Sequence, residues 1–331
     1  MNWQPVFLDR DQVRPLWRFF LSLAMIGLAY VGVGVAAGSL EELLEHFGKR
    51  PGYFGEILLV NSLMFAALLI VFKVLTSAFE RRAFGSFGLA LGGRWHRELG
   101  RGVVVGTVMV LAVGGLERAL RLATFTSGSY RAGVLAESGL VACAFLLLAA
   151  FNEEMVFRGY PFQRLVDAAG PLGAVVITSM LFGAVHLGNP HHTLASTLNT
   201  MLVGVPLSVA YLRTRALWLP VGIHFSWNLV LGAGLGLPVS GLNIPHSLLV
   251  SHVQGSALLT GSEYGPEGGL LATGVIVAAT LYLAFSRSIY ISEEMKKLVF
   301  APPAPIGGSE QPEQLSIISS ASEDVDPREL N

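Results

Sequence analysis

The chain has 331 residues, of which 52% are hydrophobic and only 14% are charged. A soluble domain carries about 25% charged residues, so this composition excludes an ordinary soluble protein and favours a membrane-embedded bundle. The net charge of −1 gives no reason to expect a nucleic-acid partner. The single cysteine, Cys143, excludes a disulfide framework within the chain.

Apolar segments long enough to cross a bilayer follow one another along the chain. A spanning helix needs about 20 mostly apolar residues, and such segments lie near 16–37, 56–79, 102–123, 138–157, 171–187, 193–212, 216–237 and 268–286. They predict an all-α fold, a polytopic transmembrane helical bundle of about eight helices. Residues 238–267 carry no Lys or Arg, and their moderately apolar character leaves room for a re-entrant or interfacial piece.

The distribution of Lys and Arg predicts how this bundle is oriented. With the N-terminus inside, the cytoplasmic pieces hold 16 of these residues, and the opposite loops hold only Lys49, Arg50 and Arg131. Positively charged residues favour the cytoplasmic side of a membrane. We therefore predict an N-in/C-in topology: an integral protein of the cell (plasma) membrane with both termini cytoplasmic.

The same segments predict four parts of the chain. These are residues 1–137 with three helices and a basic cytoplasmic loop, 138–237 with the core helices four to seven, 238–300 with an external loop and the last transmembrane helix, and 301–331 as a cytoplasmic tail. The tail is rich in Pro, Ser, Glu and Asp. Such a composition buries too little apolar area to offset chain entropy, so we expect the tail to be disordered.

Three polar motifs interrupt the apolar core. They are Glu153-Glu154-x-x-x-Arg158 at the end of the fourth span, Phe182-x-x-x-His186 at the end of the fifth, and His224-x-x-x-Asn228 in the seventh. Ionisable residues inside spans are costly and mark function by default. Residues four apart share a helix face, so Glu154 and Arg158 can form an ion pair. By the same spacing Phe182 and His186 can wall one cavity, and His224 and Asn228 project to the same side. Glu153 points about 100° away from Glu154 and is free to face the bundle interior.

The residue types in these motifs suit hydrolysis. Glu153 can act as a general base that shares the attacking water with His186, while His224 and Asn228 can donate hydrogen bonds to an oxyanion. An alternative uses Glu153, His186 and His224 as ligands of a zinc ion, as in an intramembrane metalloprotease. The usual His-Glu-x-x-His signature is absent from the chain, and the residues alone leave both chemistries open.

The ordered motifs resemble those of the CPBP family, which comprises CAAX prenyl endopeptidases and bacteriocin-processing or self-immunity (Abi) proteins. The matching stretch covers about residues 138–237. The resemblance implies that Glu153 is the general base, that His186 shares the water, and that His224 and Asn228 are the oxyanion donors. It also implies that Glu154 and Arg158 orient the first motif.

The sequence therefore predicts an intramembrane endopeptidase, that is, a peptide hydrolase embedded in the lipid bilayer. Its partner would be a membrane-associated or lipidated (CAAX-like) peptide, or a segment of a membrane protein. Two alternatives stay open: a non-catalytic CPBP-like protein that binds or regulates a membrane partner, and a proton-coupled transporter of small solutes.

The predicted helix boundaries place Glu153 and His186 at different depths in the membrane. Glu153 lies about 8 Å from the cytoplasmic face and His186 about 22 Å from it, at a rise of about 1.5 Å per residue. They meet only if the fourth and fifth helices extend beyond the bilayer near residues 158–175, which we favour, or if the predicted boundaries are wrong. Gly170-Pro171 is the expected turn at the end of that extension.

Overall fold

The computed structural model describes residues 8–9, 12–48, 52–92 and 94–300, and helices dominate this part of the chain. The helices are α1 (Pro15–His46), α2 (Tyr53–Val74, continued by a π-helical turn Leu75–Glu80), α3 (Trp95–Ala119), α4 (Ala132–Arg158), α5 (Tyr160–Val185), α6 (Leu194–Thr214), α7 (Trp218–Leu229, continued by a π-helical turn Val230–Gly234), α8 (Ala257–Thr260), α9 (Leu270–Phe285) and α10 (Glu293–Phe300). Short 3₁₀ helices lie at Phe84–Phe87, His186–Gly188, Ser262–Tyr264 and Pro266–Gly268. Two small antiparallel sheets pair β1 (Leu8–Asp9) with β2 (Gln12–Val13) and β3 (Ala123–Ser127) with β4 (Leu249–Val253).

The predicted polytopic helical class is confirmed. Among the residues that the structure describes, five helical runs are long and apolar enough to cross a membrane, by length and composition: Pro15–His46, Gly55–Glu80, Trp95–Ala119, Ala132–Gly188 and Leu194–Thr214. The fourth run contains both α4 and α5, and α9 is a shorter apolar helix. Each of the eight predicted segments overlaps one of the helices α1–α7 or α9. The tail predicted for 301–331 lies outside the described residues.

The third segment differs from its predicted bounds of 102–123. Helix α3 begins at Trp95 and ends at Ala119. Its first turns carry charged residues such as Glu98. A hydropathy pattern excludes such residues from an apolar span, although they are compatible with a helix. Beyond its end, Arg121 has a φ of 59°, a left-handed conformation that does not continue a right-handed helix.

Glycines bring α3 and α7 into direct backbone contact. A Cβ atom on Gly102 or Gly106 would overlap the carbonyl oxygens of Leu219 or Ile223 on α7, and one on Gly222 would overlap the α3 backbone. Small residues allow this close approach between apolar helices. The contact fixes the height and rotation of α7, the helix that carries the third motif.

A sharp break at Gly170 lies where the turn was predicted. Gly170 has φ 75° and ψ 168°, which divides α5 into two helical segments, and the following Pro171 cannot donate a backbone hydrogen bond. Gly159, with φ −77° and ψ −136°, separates α4 from α5, so the helical path between Glu153 and His186 is broken at both Gly159 and Gly170. With these breaks the two residues meet, because Oε2 of Glu153 lies 3.9 Å from Nε2 of His186.

Two apolar clusters hold the helices together. One joins α1, α2 and α5 around residues such as Phe72 and Tyr160. The other joins α3, α6, α7 and α9 around residues such as Val110 and Leu207. Helices α6 and α7 contribute to both clusters, so the helices of the two clusters form one bundle.

Candidate active site

A cavity of about 300 Å³ collects the three motifs. Its lining includes Glu153 from α4, Phe182 and His186 from the end of α5, and His224 and Asn228 from α7. These residues lie far apart in the sequence. The bundle therefore brings together the carboxylate, the two imidazoles and the amide that the sequence singled out.

One carboxylate oxygen of Glu153 lies between the two imidazole rings. Its Oε2 atom is 3.9 Å from Nε2 of His186 and 3.8 Å from Nε2 of His224. This oxygen is buried and has no hydrogen-bond partner among the described residues. The gaps exceed direct hydrogen-bonding distance, but a water oxygen at about 2.8 Å from each atom would bridge them.

Hydrogen bonds through Nδ1 fix the orientation of both rings. The backbone carbonyl of Phe182 accepts from Nδ1 of His186 at 2.6 Å, and Oε1 of Glu154 accepts from Nδ1 of His224 at 2.8 Å. A carbonyl oxygen only accepts, so the hydrogen of neutral His186 is on Nδ1 and its Nε2 has a free lone pair. Both Nε2 atoms face Glu153.

The predicted ion pair of the first motif is present and fully buried. Nη1 of Arg158 donates to Oε1 of Glu154 at 3.1 Å, and neither residue is exposed. Nη2 donates to the carbonyl of Gly204 on α6 at 3.2 Å, and the guanidinium lies 4.6 Å from the centre of the Phe182 ring. The pair therefore links three helices, in addition to bonding the His224 ring through Glu154.

Polar residues outside the three motifs also reach the cavity. Asn61 of α2 lines it, and the backbone carbonyl of Asn61 accepts from Asn152 at 3.0 Å. A second cavity of about 340 Å³ lies against α1, α2 and α4 and shares Asn61 and Glu153 with the first. Pattern reasoning missed Asn61 because a single amide within an apolar span gives no local signal.

The segment predicted as a loop at 238–267 supplies one wall of the cavity. Val239, Ser240, Leu242 and Glu267 all line it. Glu267 was also missed, although it is one of only two acidic residues in a stretch without Lys or Arg. An acidic residue without a nearby basic one in the sequence was the signal that could have drawn attention to it.

The predicted zinc ligands do not form a metal site in this geometry. The Oε2 atom of Glu153 is 3.8–3.9 Å from the two imidazole Nε2 atoms. In the described part of the chain, no group of three or more His, Cys, Asp or Glu residues is arranged to hold a metal ion. The zinc set of Glu153, His186 and His224 therefore has no geometric support.

Comparison with known proteins gives this segment a family. Residues 135–230 match the family described as type II CAAX prenyl endopeptidase Rce1-like, and the match contains all three motifs. An uncharacterized 24.3 kDa protein of Escherichia coli is 33% identical over 135 residues, which are 39% of this chain and 61% of that protein. No solved structure matches the chain. The predicted family resemblance is thus confirmed over residues 135–230, where the chain is similar to the Rce1-like type II CAAX prenyl endopeptidases.

Proposed function

We propose that this protein is an intramembrane endopeptidase. Its substrate is a membrane-associated or lipidated (CAAX-like) peptide, or a segment of a membrane protein. The observation that carries the proposal is the position of Glu153 Oε2, unpartnered between two imidazole Nε2 atoms in a cavity within an apolar helical bundle. The family of residues 135–230 supports the same reaction class.

Glu153 and His186 activate the water in this proposal. The free lone pair on His186 Nε2 and the buried Glu153 oxygen both accept hydrogen bonds, so together they hold and polarise one water molecule. As the water oxygen attacks the peptide carbonyl carbon, one proton passes to Glu153. When the carbon–nitrogen bond breaks, this proton passes to the leaving amine, and the base is restored.

His224 and Asn228 stabilise the oxyanion. Glu154 accepts from Nδ1 of His224, so Nε2 of His224 carries a hydrogen only when the ring is an imidazolium. An imidazolium together with Arg158 balances the two negative charges of Glu153 and Glu154. Its Nε2–H and the Asn228 amide then face the cavity as the two donors that an oxyanion requires.

The lining of the cavity fits a substrate that reaches the site from the membrane. Most residues that line the cavity are apolar, so an apolar peptide segment fits it better than a charged one. The excess of Lys and Arg in the predicted cytoplasmic pieces supports an N-in/C-in protein of the cell membrane. A bacteriocin-processing or self-immunity role stays a prediction from the resemblance.

The decisive experiment compares the peptides released in native membranes by the wild type and by Glu153→Gln. We expect the variant to lose at least about 100-fold in cleavage, because the amide cannot accept the proton of the water. Glu137→Gln is the matched control, since Glu137 is exposed on the same helix. It should release the wild-type set of peptides.

Each comparison is repeated with a chelator. Cleavage that survives chelation agrees with activation of water by Glu153 and His186, whereas loss of cleavage and its restoration by Zn²⁺ would transfer that role to a metal ion. Continued cleavage by Glu153→Gln would overturn the assigned base. An inactive variant that still complements the cellular phenotype would favour the non-catalytic alternative.

A further inference from the structure

A tight turn covers part of the cavity that holds Glu153. Residues 238–242, here called the roof segment, reverse at Ser240 and Gly241, which have φ values of 47° and 84°. Val239 and Leu242 exchange backbone hydrogen bonds of 2.8 Å on either side of this reversal. Serine rarely adopts a positive φ, so its surroundings must hold it there.

Glu267 supplies much of what holds the turn. Its Oε2 atom accepts from the backbone N–H of Ser240 at 2.5 Å and from the Ser240 hydroxyl at 2.7 Å. Asn189, three residues after His186, donates to the Ser240 carbonyl at 3.1 Å. All the backbone and side-chain polar groups of Ser240 are therefore bonded, and two of these bonds end on one carboxylate.

The other oxygen of the same carboxylate bonds the helix that carries the third motif. Oε1 of Glu267 accepts from the indole N–H of Trp227 at 2.9 Å. Trp227 directly precedes Asn228 and lines the cavity. Glu267 is only 8% exposed, and its three bonds join the roof segment to α7 across the cavity wall.

We propose that Glu267 is a positioning residue that fixes the Trp227 ring and the roof segment as one apolar wall, and so selects the substrate side chain accepted next to the cleaved bond. Val239, Leu242 and Trp227 form the apolar surface of this wall. Because the bonds of Glu267 hold this wall in place, the wall limits the size of the side chain that fits against it, and Leu fits better than Trp. The selection rests on the proposed peptidase function, whereas the positioning does not.

The positioning is tested by hydrogen–deuterium exchange on the full chain in nanodiscs of phosphatidylethanolamine and phosphatidylglycerol. An amide presents only one accepting oxygen, so Glu267→Gln loses its bond to Trp227 or its bonds to Ser240. We expect the amides of residues 239–242 to exchange about fivefold faster in this variant and in Trp227→Phe. Glu263→Gln is the matched control, because Glu263 lies in the same loop but is exposed and pairs with His191.

The selection is tested on quenched fluorescent peptides that share one sequence cleaved by the wild type. The peptides differ only in the residue beside the cleaved bond, which is Ala, Leu, Phe or Trp. In Glu267→Gln, the ratio of kcat/KM for Leu over Trp should fall at least about threefold, while Glu263→Gln keeps the wild-type ratio. A purely structural defect would lower all four rates together and leave this ratio unchanged.

The outcomes separate this inference from the proposed function. Unchanged exchange at 239–242 in Glu267→Gln overturns the positioning, whether or not the wild type cleaves any peptide. Faster exchange with an unchanged Leu-to-Trp ratio overturns the selection alone. A wild type that cleaves nothing, or an active Glu153→Gln, overturns the peptidase function and the selection with it, but leaves the exchange result to decide the positioning.

Discussion

At the scale of the residue, Glu154 matters through its neighbours. It does not line the cavity, yet its Oε1 atom accepts from both Arg158 and His224. The pairing with Arg158 was predictable, because residues four apart on a helix face one another. The bond to His224 was not, because it joins side chains 70 positions apart that only the packed bundle brings into contact.

Neutralising Glu154 should lower both stability and catalysis, and a second substitution at Arg158 should restore only the stability. Glu154→Gln leaves the fully buried Arg158 without its counter-charge, and we expect it to lower the free energy of unfolding by about 3–5 kcal/mol. The double variant Glu154→Gln/Arg158→Met removes both charges, so it should recover most of this loss. It should not recover cleavage, because His224 has still lost its carboxylate. Thermal unfolding and peptide cleavage measured on the same preparations check both statements, and a double variant with full activity would contradict the role given to Glu154.

At the scale of the element, the contact between α3 and α7 sets the position of the third motif. The apolar segments were readable from hydropathy, and each overlaps a helix. The close approach was not, because a glycine in a span has the same pattern whether it faces lipid or another backbone. The roof segment and the β3–β4 pair were missed for a related reason, since their bonds join parts of the chain that share no local periodicity.

Adding one methyl group to α3 should displace α7. Gly106→Ala places a Cβ against Ile223 and Ser226, and we expect a loss of about 1–3 kcal/mol in the free energy of unfolding, together with reduced cleavage. Gly115→Ala is the matched control on the same helix, because a Cβ there has no described neighbour within 4 Å. It should be neutral or stabilise by up to about 1 kcal/mol. Equal effects of the two substitutions on thermal unfolding and cleavage would argue against this contact as the determinant of α7 position.

At the scale of the whole molecule, the orientation stays a prediction from charge. A bundle of the predicted eight membrane-spanning helices would have both termini on one side. The bias of 16 Lys and Arg residues against three predicts that this side is the cytoplasm. Glu263, in the 3₁₀ helix Ser262–Tyr264, and Lys297, in α10, lie on either side of α9 along the chain. If α9 crosses the membrane, the two residues lie on opposite faces.

Thiol labelling in intact cells checks this orientation. In a Cys143→Ala background, a membrane-impermeant maleimide should label Glu263→Cys directly. It should label Lys297→Cys only after the membrane is permeabilised, because the predicted N-in/C-in topology puts that residue in the cytoplasm. Both positions are exposed at the surface of the protein. The reverse labelling pattern would invert the predicted topology.

The two cavities that meet at Glu153 have a consequence for inhibitors. Each has a volume of about 300–340 Å³, the lower end of the range that accommodates drug-like molecules. One compound can fill the space beside the imidazoles while a second fills the space between α1 and α2, and both reach the same carboxylate. Joining the two compounds by a short linker would convert the second binding event into an intramolecular one. Fragment pairs are therefore a rational starting point for chemical tools against this protein.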